Sequence, residues 1–420
     1  MLISKLLNKN NKEILWSYMT KGITTLWWLF FLIFIPKLYS VEDFGQLTLM
    51  ISYITLMGIF FGLSIQEWVK KEIVENRHDI KHNNLVANIC NWFYMKLVFN
   101  IVFLWLLRII AEILNLDVIK QNFWLFYLLT CFMNLRGLVT NIFVSLHKNK
   151  NFLVISFLEY FFKILFLLLF FFLRETTLSN ILLSFVIGYG ISTIWWFYKL
   201  FVWHDIKLLK PDKEIIKKLL KRYFLLSLSN ISFILIANID NVLVSKFFDK
   251  TTLWHYTIAT QIMNNMWIFT ISIITWIIPL FNLKENKENL KRLFKKYYKL
   301  LVIINLLLWL WIFIVSPFVI KLIYWDWYEL SITILRILSV LPILSTSQVF
   351  FTNILTNYGE YQNQMKIWIF ISILNITLTF IFINFFSIVW VCISNLLSYL
   401  IWDLFLFFIF YKRTFSLETN

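Results

Sequence analysis

Apolar residues dominate this chain in runs of about twenty, which short polar or basic segments interrupt. A helix needs about 20 consecutive apolar residues to cross the roughly 30 Å hydrocarbon core of a membrane. Hydrophobic residues make up 60% of the chain and charged residues only 15%. One globular core could not bury so much apolar surface. The pattern therefore predicts an all-α integral membrane protein and excludes a soluble fold.

The apolar runs predict about twelve transmembrane helices. They lie at 14–35, 43–65, 85–109, 121–145, 152–173, 178–198, 223–245, 253–281, 300–324, 331–356, 367–386 and 388–411.

Lys and Arg residues divide unequally between the two sides of these spans. Of the 39, 27 fall in the termini and even-numbered loops, seven in odd-numbered loops or, as Arg108 and Lys321, at the span ends beside them, and five deeper within the spans. Because basic residues concentrate in cytoplasmic loops, both termini are predicted to be cytoplasmic. The net charge of +16 then reflects topology and contact with anionic lipid, so no nucleic-acid partner is expected.

The second half of the chain repeats the span layout of the first. The odd-numbered spans begin near residues 14, 85 and 152 in one half and near 223, 300 and 367 in the other. The repeat predicts a six-helix lobe at 1–198, a basic cytoplasmic linker at 199–222 and a second six-helix lobe at 223–420. Because six is even, a pseudo-two-fold axis along the membrane normal should relate the lobes around a central cavity.

Two basic segments have amphipathic helical patterns. In 212–223, which includes part of the linker, apolar residues share one helical face and lysines occupy the other, and 284–299 repeats the pattern. Both are predicted to be interfacial helices on the anionic inner leaflet.

Four segments carry a family resemblance that spans nearly the whole chain. They are Tyr39–Gly45 entering the second span, Asn238–Asp249 leading to Tyr256, then Ser316–Ile323 and Ile334–Leu338. In this order they resemble the signatures of polysaccharide transporters, the Wzx-type O-antigen flippases of the MOP/MATE-like superfamily. One departure is Trp254, where that family usually has a glycine, so the local turn geometry stays open.

The resemblance implies a flippase rather than an enzyme. Its expected substrate is an undecaprenyl-pyrophosphate-linked oligosaccharide, an O-antigen or related repeat unit, moved from the cytoplasmic to the periplasmic leaflet of a bacterial inner membrane by alternating access. Expected partners are this lipid-linked oligosaccharide, membrane lipids and the polysaccharide polymerase machinery, and no cofactor is expected.

Five basic side chains within the predicted spans are candidates for holding an anionic substrate, since a charge at mid-span costs on the order of 3 kcal/mol. In descending order of interest they are Arg136, Lys163, Lys96, Lys21 and Arg336. Arg136 has no acidic neighbour in its own span, and its planar fork can bind phosphate oxygens bidentately.

Three of these bases have simpler alternative explanations. Lys21 and Arg336 lie near span ends, from which a long side chain can reach the interface. Lys163 follows Glu159 by one helical turn, which favours an ion pair within the helix.

Polar and acidic residues in the remaining spans give further candidates. Gln261, Asn264 and Asn265 share one helical face, which either binds sugar hydroxyls or packs against another helix. Asp240 and Asp403 lie in the second lobe. Three roles are open for Asp240: it couples transport to a proton or cation, caps a helix end or forms an interlobe contact.

Two other classes of function compete with a flippase. An integral-membrane O-antigen polymerase or glycosyltransferase usually needs a large outer loop or carboxylates at the outer face, whereas the longest predicted outer loop here is only 110–120. A multidrug antiporter of the same superfamily would favour buried acids, and the first lobe has an excess of bases. None of the eight glycines is followed by Lys, so the chain has no P-loop for ATP.

Overall fold

The computed structural model describes residues 9–38, 41–62, 83–113, 117–145, 149–175, 177–203, 212–277, 287–324, 329–357, 361–385 and 387–415. Within these ranges the chain forms fourteen α-helices and no strand. The helices are α1 (Lys9–Leu38), α2 (Val41–Gly62), α3 (Asn83–Ile113), α4 (Asp117–Gln121), α5 (Phe123–Ser145), α6 (Asn149–Phe172), α7 (Leu178–Trp203), α8 (Lys213–Phe247), α9 (Lys250–Ile277), α10 (Lys287–Tyr324), α11 (Glu329–Leu338), α12 (Leu341–Asn357), α13 (Tyr361–Phe385) and α14 (Ile388–Phe415).

The predicted all-α membrane fold is confirmed. In the part of the chain that the structure describes, seven helical stretches are long and apolar enough to cross a membrane. Shorter apolar stretches lie at Met19–Ile35, Gly45–Leu56 and Cys90–Leu106. Helices suit this setting because each one satisfies its own backbone hydrogen bonds where no water is present.

Helix α6 shows how the chain is turned toward lipid. Its buried stripe contains Glu159 and Lys163, whereas Phe157, Phe161 and Leu165 on the opposite face are about half exposed. A soluble helix would bury the phenylalanines and expose the charges. The reversed pattern fits a helix whose outer face meets acyl chains and whose inner face forms a polar interior.

Two prolines affect the second half of the chain differently. Pro342 lies at the start of α12, and the tenth predicted span is divided there into α11 and α12 because proline cannot donate the helical hydrogen bond. Pro317 lies inside α10, which continues to Tyr324. Because proline has no backbone N–H, Pro317 leaves the Phe313 carbonyl without its helical donor. The Ser316 hydroxyl donates a 3.1 Å hydrogen bond to this carbonyl instead.

The two predicted basic amphipathic segments are not separate interfacial helices. Residues 213–222 are the first turns of α8, and residues 287–299 are the first turns of α10. Asp212 caps α8 by accepting a 2.8 Å hydrogen bond from the Glu214 amide, and its own amide donates to Asn91 of α3. Each basic segment is therefore continuous with the apolar stretch that follows it.

A capped turn joins α8 to α9. The Asp249 carboxylate accepts a 3.1 Å hydrogen bond from the Thr252 amide, which satisfies a free donor at the start of α9. Hydrogen bonding by Thr252 lowers the pKa of Asp249. Trp254 lies inside the first turns of α9 and is buried, so the position where the resembling family has glycine is helical here.

The chain divides into two compact units, Met1–Ser227 (unit 1) and Leu228–Asn420 (unit 2). The division falls inside α8, a few residues beyond the predicted linker. In unit 1, α6 packs against α7 and α1, and α5 packs against α7. In unit 2, α14 packs against α12 and α13, and α9 packs against α11 and α12. The buried face of α6 in unit 1 carries Glu159 and Lys163.

Candidate functional site

Three charged side chains meet inside unit 1. Arg136 of α5 forms an ion pair through Nε with Oε2 of Glu159 on α6, and Lys163 Nζ lies 2.5 Å from Glu159 Oε1. The side chains of Glu159 and Lys163 are each 1% exposed, whereas that of Arg136 is 19% exposed. We call Arg136, Glu159 and Lys163 the charge cluster.

Local sequence explains why this cluster can form. Glu159 and Lys163 are four residues apart on α6, so both project from the same buried stripe. Helix α7 can approach that stripe because residue 188 is glycine. A Cβ there would lie 2.5 Å from Lys163 Cγ and 2.8 Å from the Glu159 carbonyl oxygen. The sequence therefore provides both the charged pair and the space beside it.

Aromatic rings enclose the Lys163 ammonium group. Its Nζ lies 3.4 Å from the ring centroid of Tyr189, 4.9 Å from that of Phe185, 5.3 Å from that of Tyr160 and 5.4 Å from that of Trp27. Cation–π attraction of this kind is strongest where water is excluded. Lys163 is therefore held by Glu159 and by rings from α1, α6 and α7.

The cluster changes the interpretation of its two bases. Arg136 has no acidic neighbour in its own helix, but it has one across the α5–α6 interface, so its burial can be explained without a bound anion. Lys163 forms the predicted pair with Glu159 and is enclosed. Two cations share one carboxylate, so the cluster keeps a net charge of +1, and Arg136 is its most accessible member.

The other two candidate bases of unit 1 lie in different surroundings. Lys96 is 1% exposed on α3, and its Nζ has no hydrogen-bond partner among the residues that the structure describes. Asn91 and Asn100 on the same helix are also buried. Lys21 on α1 is exposed, whereas Glu159 and Lys163 of the charge cluster are buried. Of the four unit 1 bases, Arg136 and Lys163 are the two that the described structure brings together through Glu159.

A polar pocket lies inside unit 2 around Asp240 of α8. Asp240 Oδ2 accepts a 3.0 Å hydrogen bond from the Tyr256 hydroxyl and a 2.6 Å hydrogen bond from Asn395 Nδ2. Asp240 Oδ1 is buried and has no hydrogen-bond partner in the described part of the chain. The three side chains line a cavity of about 90 Å³. This carboxylate therefore has spare acceptor capacity where it faces the cavity.

Only one of the three polar candidates on α9 is shown at this pocket. Asn264 is exposed and lines the cavity with Asp240. Gln261 is half-buried and is not among the lining residues. The Asn265 side chain lies outside the described residues.

The remaining candidates of unit 2 occupy separate places. Asp403 of α14 is 9% exposed, and its Oδ1 has no hydrogen-bond partner among the described residues. It follows the pocket residue Tyr399 by one helical turn. Arg336 at the end of α11 is exposed, and its guanidinium lies 5.3 Å from the ring centroid of Phe313.

Sequence reasoning missed several residues of both sites. Tyr256 belongs to the segment that resembles the transporter signature, and that shared motif could have suggested its bond to Asp240. Tyr189 and Asn395 had no such signal. Each acts through contacts across helices that spacing within one helix does not reveal.

The fold is similar to the folds of solved membrane transporters of the MOP superfamily. It resembles the inward-facing form of a multidrug resistance MATE family transporter, with a TM-score of 0.74, 14% identity and coverage of 96% of each chain. It also resembles the outward-facing form of such a transporter, with a TM-score of 0.69, 15% identity and coverage of 98% of this chain and 97% of the other. At such low identity these similarities show the fold alone.

A third similar structure is a MOP superfamily transporter from Pyrococcus furiosus. Its TM-score is 0.68, with 15% identity and coverage of 98% of this chain and 97% of the other. That protein is described as having a binding pocket of reverse polarity, which suggests a different function for it.

The sequence itself gives the family. Residues 11–284 match the model of the polysaccharide biosynthesis protein family, and the chain belongs to that family. No curated protein matches it. The resemblance found in its signature segments is thereby confirmed.

Proposed function

We propose that this protein is a flippase that moves an undecaprenyl-pyrophosphate-linked oligosaccharide, an O-antigen or related repeat unit, by alternating access. The movement is from the cytoplasmic to the periplasmic leaflet of a bacterial inner membrane, with both termini cytoplasmic. Membership of the polysaccharide biosynthesis family supports the substrate class. The transporter fold supports transport rather than catalysis.

The charge cluster is the observation that carries the proposal. A buried group of charges with a net charge of +1 attracts an anion, because a low-dielectric interior weakens electrostatic interactions less than water does. Arg136 is the member through which this charge can be reached, since 19% of its side chain is exposed. The pyrophosphate, or an acidic sugar, binds at Arg136 while the lipid tail stays in the bilayer.

Glu159 and Lys163 position Arg136 rather than bind the substrate themselves. Glu159 pairs with the Nε edge of the guanidinium, and Lys163 fixes Glu159 from the other side. An incoming phosphate competes with Glu159 for Arg136, and Glu159 retains Lys163 as its counterion. This exchange keeps the carboxylate paired whether or not substrate is bound.

The other predicted residues take secondary roles in this proposal. Lys96 is a second cation for the pyrophosphate, because it is buried and its ammonium has no partner in the described part of the chain. Lys21 and Arg336 meet the substrate at the two membrane interfaces. Asn264, with Gln261 and Asn265 on the same helix, donates hydrogen bonds to sugar hydroxyls.

Asp240 is our candidate for ion coupling. It has one satisfied carboxylate oxygen and one oxygen without a hydrogen bond in the described structure, and it faces a cavity large enough for a proton-carrying water or a small cation. Asp403 is a second buried carboxylate of the same unit. Binding of a cation at Asp240 would offset the cost of burying this charge.

Gene deletion tests the function as a whole. Loss of surface polysaccharide, with repeat units stranded on the cytoplasmic leaflet, supports a flippase. Unpolymerised units stranded on the periplasmic side would instead indicate a polymerase. Complementation with the wild-type gene should restore the polysaccharide.

Substitution of Arg136 tests the site. Arg136→Ala should cut surface polysaccharide severely at a normal membrane level of the protein, and Arg136→Lys should recover only part because it loses the planar fork. Arg174→Ala is the matched control, since Arg174 is exposed in the turn after α6. Wild-type polysaccharide in the Arg136→Ala strain would refute the assignment of the site.

A multidrug antiporter is the second candidate function. The observation that favours it is the pair of buried carboxylates in unit 2, Asp240 and Asp403, which would suit a cationic drug. A deletion strain with unchanged polysaccharide and altered drug sensitivity would establish it in place of the flippase.

A further inference from the structure

The first turns of α10 form a basic helical segment beyond the membrane-crossing part of the helix. Helix α10 has 38 residues, so it is about 57 Å long at 1.5 Å per residue. The hydrocarbon core accounts for only about 30 Å of that length. Residues 287–299 hold six basic residues and one acidic residue, a net charge of +5.

The inner face of this segment is packed against other helices of unit 2. Leu290 is 6% exposed, and the Phe294 ring lies 5.0 Å from the Phe410 ring and 5.0 Å from the Tyr298 ring, centroid to centroid. Tyr298 in turn lies 5.5 Å from Phe351. The apolar face is therefore packed against aromatic side chains of α12 and α14 and is not available for insertion into the bilayer.

The outer face carries a basic stripe. The stripe comprises the exposed residues Lys291, Arg292, Lys295, Lys296 and Lys299. At 100° per residue these positions cover about 140° of the helix surface. No ion pair involving Arg292, Lys295 or Lys299 is found in the described part of the chain. These three residues therefore present positive charge that the described part of the protein does not neutralise.

The same helix face becomes apolar immediately beyond the stripe. Ile303, Leu306, Leu307 and Leu310 are each between 44% and 63% exposed. At 100° per residue Ile303, Leu306 and Leu310 lie within the sector of the basic residues, and Leu307 lies about 20° beyond its edge. A ligand that fits this face has an anionic group at one end and a hydrocarbon chain at the other.

We propose that the basic stripe of α10 binds the headgroup of an anionic phospholipid, whose acyl chain lies along the exposed apolar face below it. The chemistry favours a phospholipid over a soluble acidic protein, because only the lipid uses both parts of the face. With the predicted topology, this lipid belongs to the cytoplasmic leaflet, where anionic lipids attract Lys and Arg near the surface. The site is separate from the charge cluster and does not depend on which substrate is transported.

Lipid binding to the purified full-length protein tests the inference. Native mass spectrometry would follow titration with phosphatidylglycerol and with phosphatidylcholine of the same acyl chains. Wild type should bind phosphatidylglycerol preferentially. The triple variant Arg292→Gln, Lys295→Gln, Lys299→Gln should lower this preference at least about threefold. A threefold change is only a small part of the affinity that three basic residues contribute at an anionic membrane surface.

A charge-matched variant is the control. Lys37→Gln, Lys246→Gln, Lys321→Gln removes three exposed bases from other helix ends and should leave the preference unchanged. Equal binding of the two lipids by wild type would overturn the inference and leave the stripe to a soluble acidic partner. An unchanged preference in the α10 variant, or an equal loss in the control, would also overturn it. None of these results bears on polysaccharide transport, which is measured separately.

Discussion

Removal of the Glu159 charge should destabilise unit 1 strongly. Glu159→Gln keeps the shape of the side chain but leaves Arg136 and Lys163 buried without their shared counterion. Breaking a buried ion pair by neutralising one partner costs about 3–5 kcal/mol, since the remaining charge stays in the low-dielectric interior. Here two cations lose the same partner, and they also repel each other.

This cost sets the size of the effect to be measured. Unit 1 comprises Met1–Ser227, and for a unit of that size each kcal/mol shifts the unfolding midpoint by roughly 2–4 °C. A loss of about 3–5 kcal/mol therefore lowers the midpoint by about 6–20 °C. Thermal unfolding of the purified protein in a mild detergent, followed by circular dichroism, measures the shift.

Two further variants make the interpretation specific. Glu175→Gln changes the same chemical group at an exposed position after α6 and should shift the midpoint by less than about 2 °C. In Glu159→Gln, Lys163→Met, one unpaired cation is replaced by an apolar chain that packs against aromatic rings, so part of the stability should return. If Glu159→Gln behaves like Glu175→Gln, the charge cluster does not hold unit 1 together and the reasoning fails.

Three other substitutions give expected outcomes. Gly188→Ala should cost about 1–3 kcal/mol in thermal unfolding, because the added Cβ would lie 2.5 Å from Lys163 Cγ and 2.8 Å from a backbone oxygen; an unshifted midpoint would show that α7 moves freely. Lys96→Met removes a buried cation that has no partner among the described residues, so it should raise the unfolding midpoint. The same substitution should lower surface polysaccharide, and an unchanged amount would exclude Lys96 from the substrate site. Asp240→Asn should abolish any dependence of repeat-unit translocation on an ion gradient in proteoliposomes. Asp249→Asn, at an exposed position, is the control, and a dependence retained in Asp240→Asn would exclude coupling at Asp240.

Helix positions were predictable from sequence because lipid leaves the backbone few alternatives. A spanning segment must satisfy its own hydrogen bonds, so a long apolar run is a helix over nearly its whole length. The tenth run is divided at Ser339–Val340, where Pro342 supplies the physical reason. The basic first turns of α8 and α10 were misassigned as separate interfacial helices, because their amphipathic pattern does not reveal whether the apolar face meets lipid or protein.

The candidate sites were predictable only where their contacts are local. The pair of Glu159 and Lys163 follows from four-residue spacing on one helix. The pairing of Glu159 with Arg136 depends on how α5 meets α6, and nothing in either segment encodes that contact by itself. The bond between Asp240 and Asn395 joins residues 155 positions apart, so it needed the fold.

The signs of the buried charges give the proposal its physical basis. Unit 1 buries two cations against one carboxylate and adds Lys96, whereas unit 2 buries Asp240 and Asp403 without an ion pair in its described part. Pyrophosphate is stabilised by the first arrangement and repelled by the second, and a coupling cation behaves in the opposite way. The charges of unit 1 therefore suit the anionic pyrophosphate, and those of unit 2 suit a coupling cation. With this arrangement neither ligand has to bind beside buried charges of the same sign as its own. If the substrate were instead a cationic drug, it would bind at Asp240 and not at Arg136. Charge removal at Arg136 therefore tests binding of an anionic substrate, and charge removal at Asp240 tests binding of a cation.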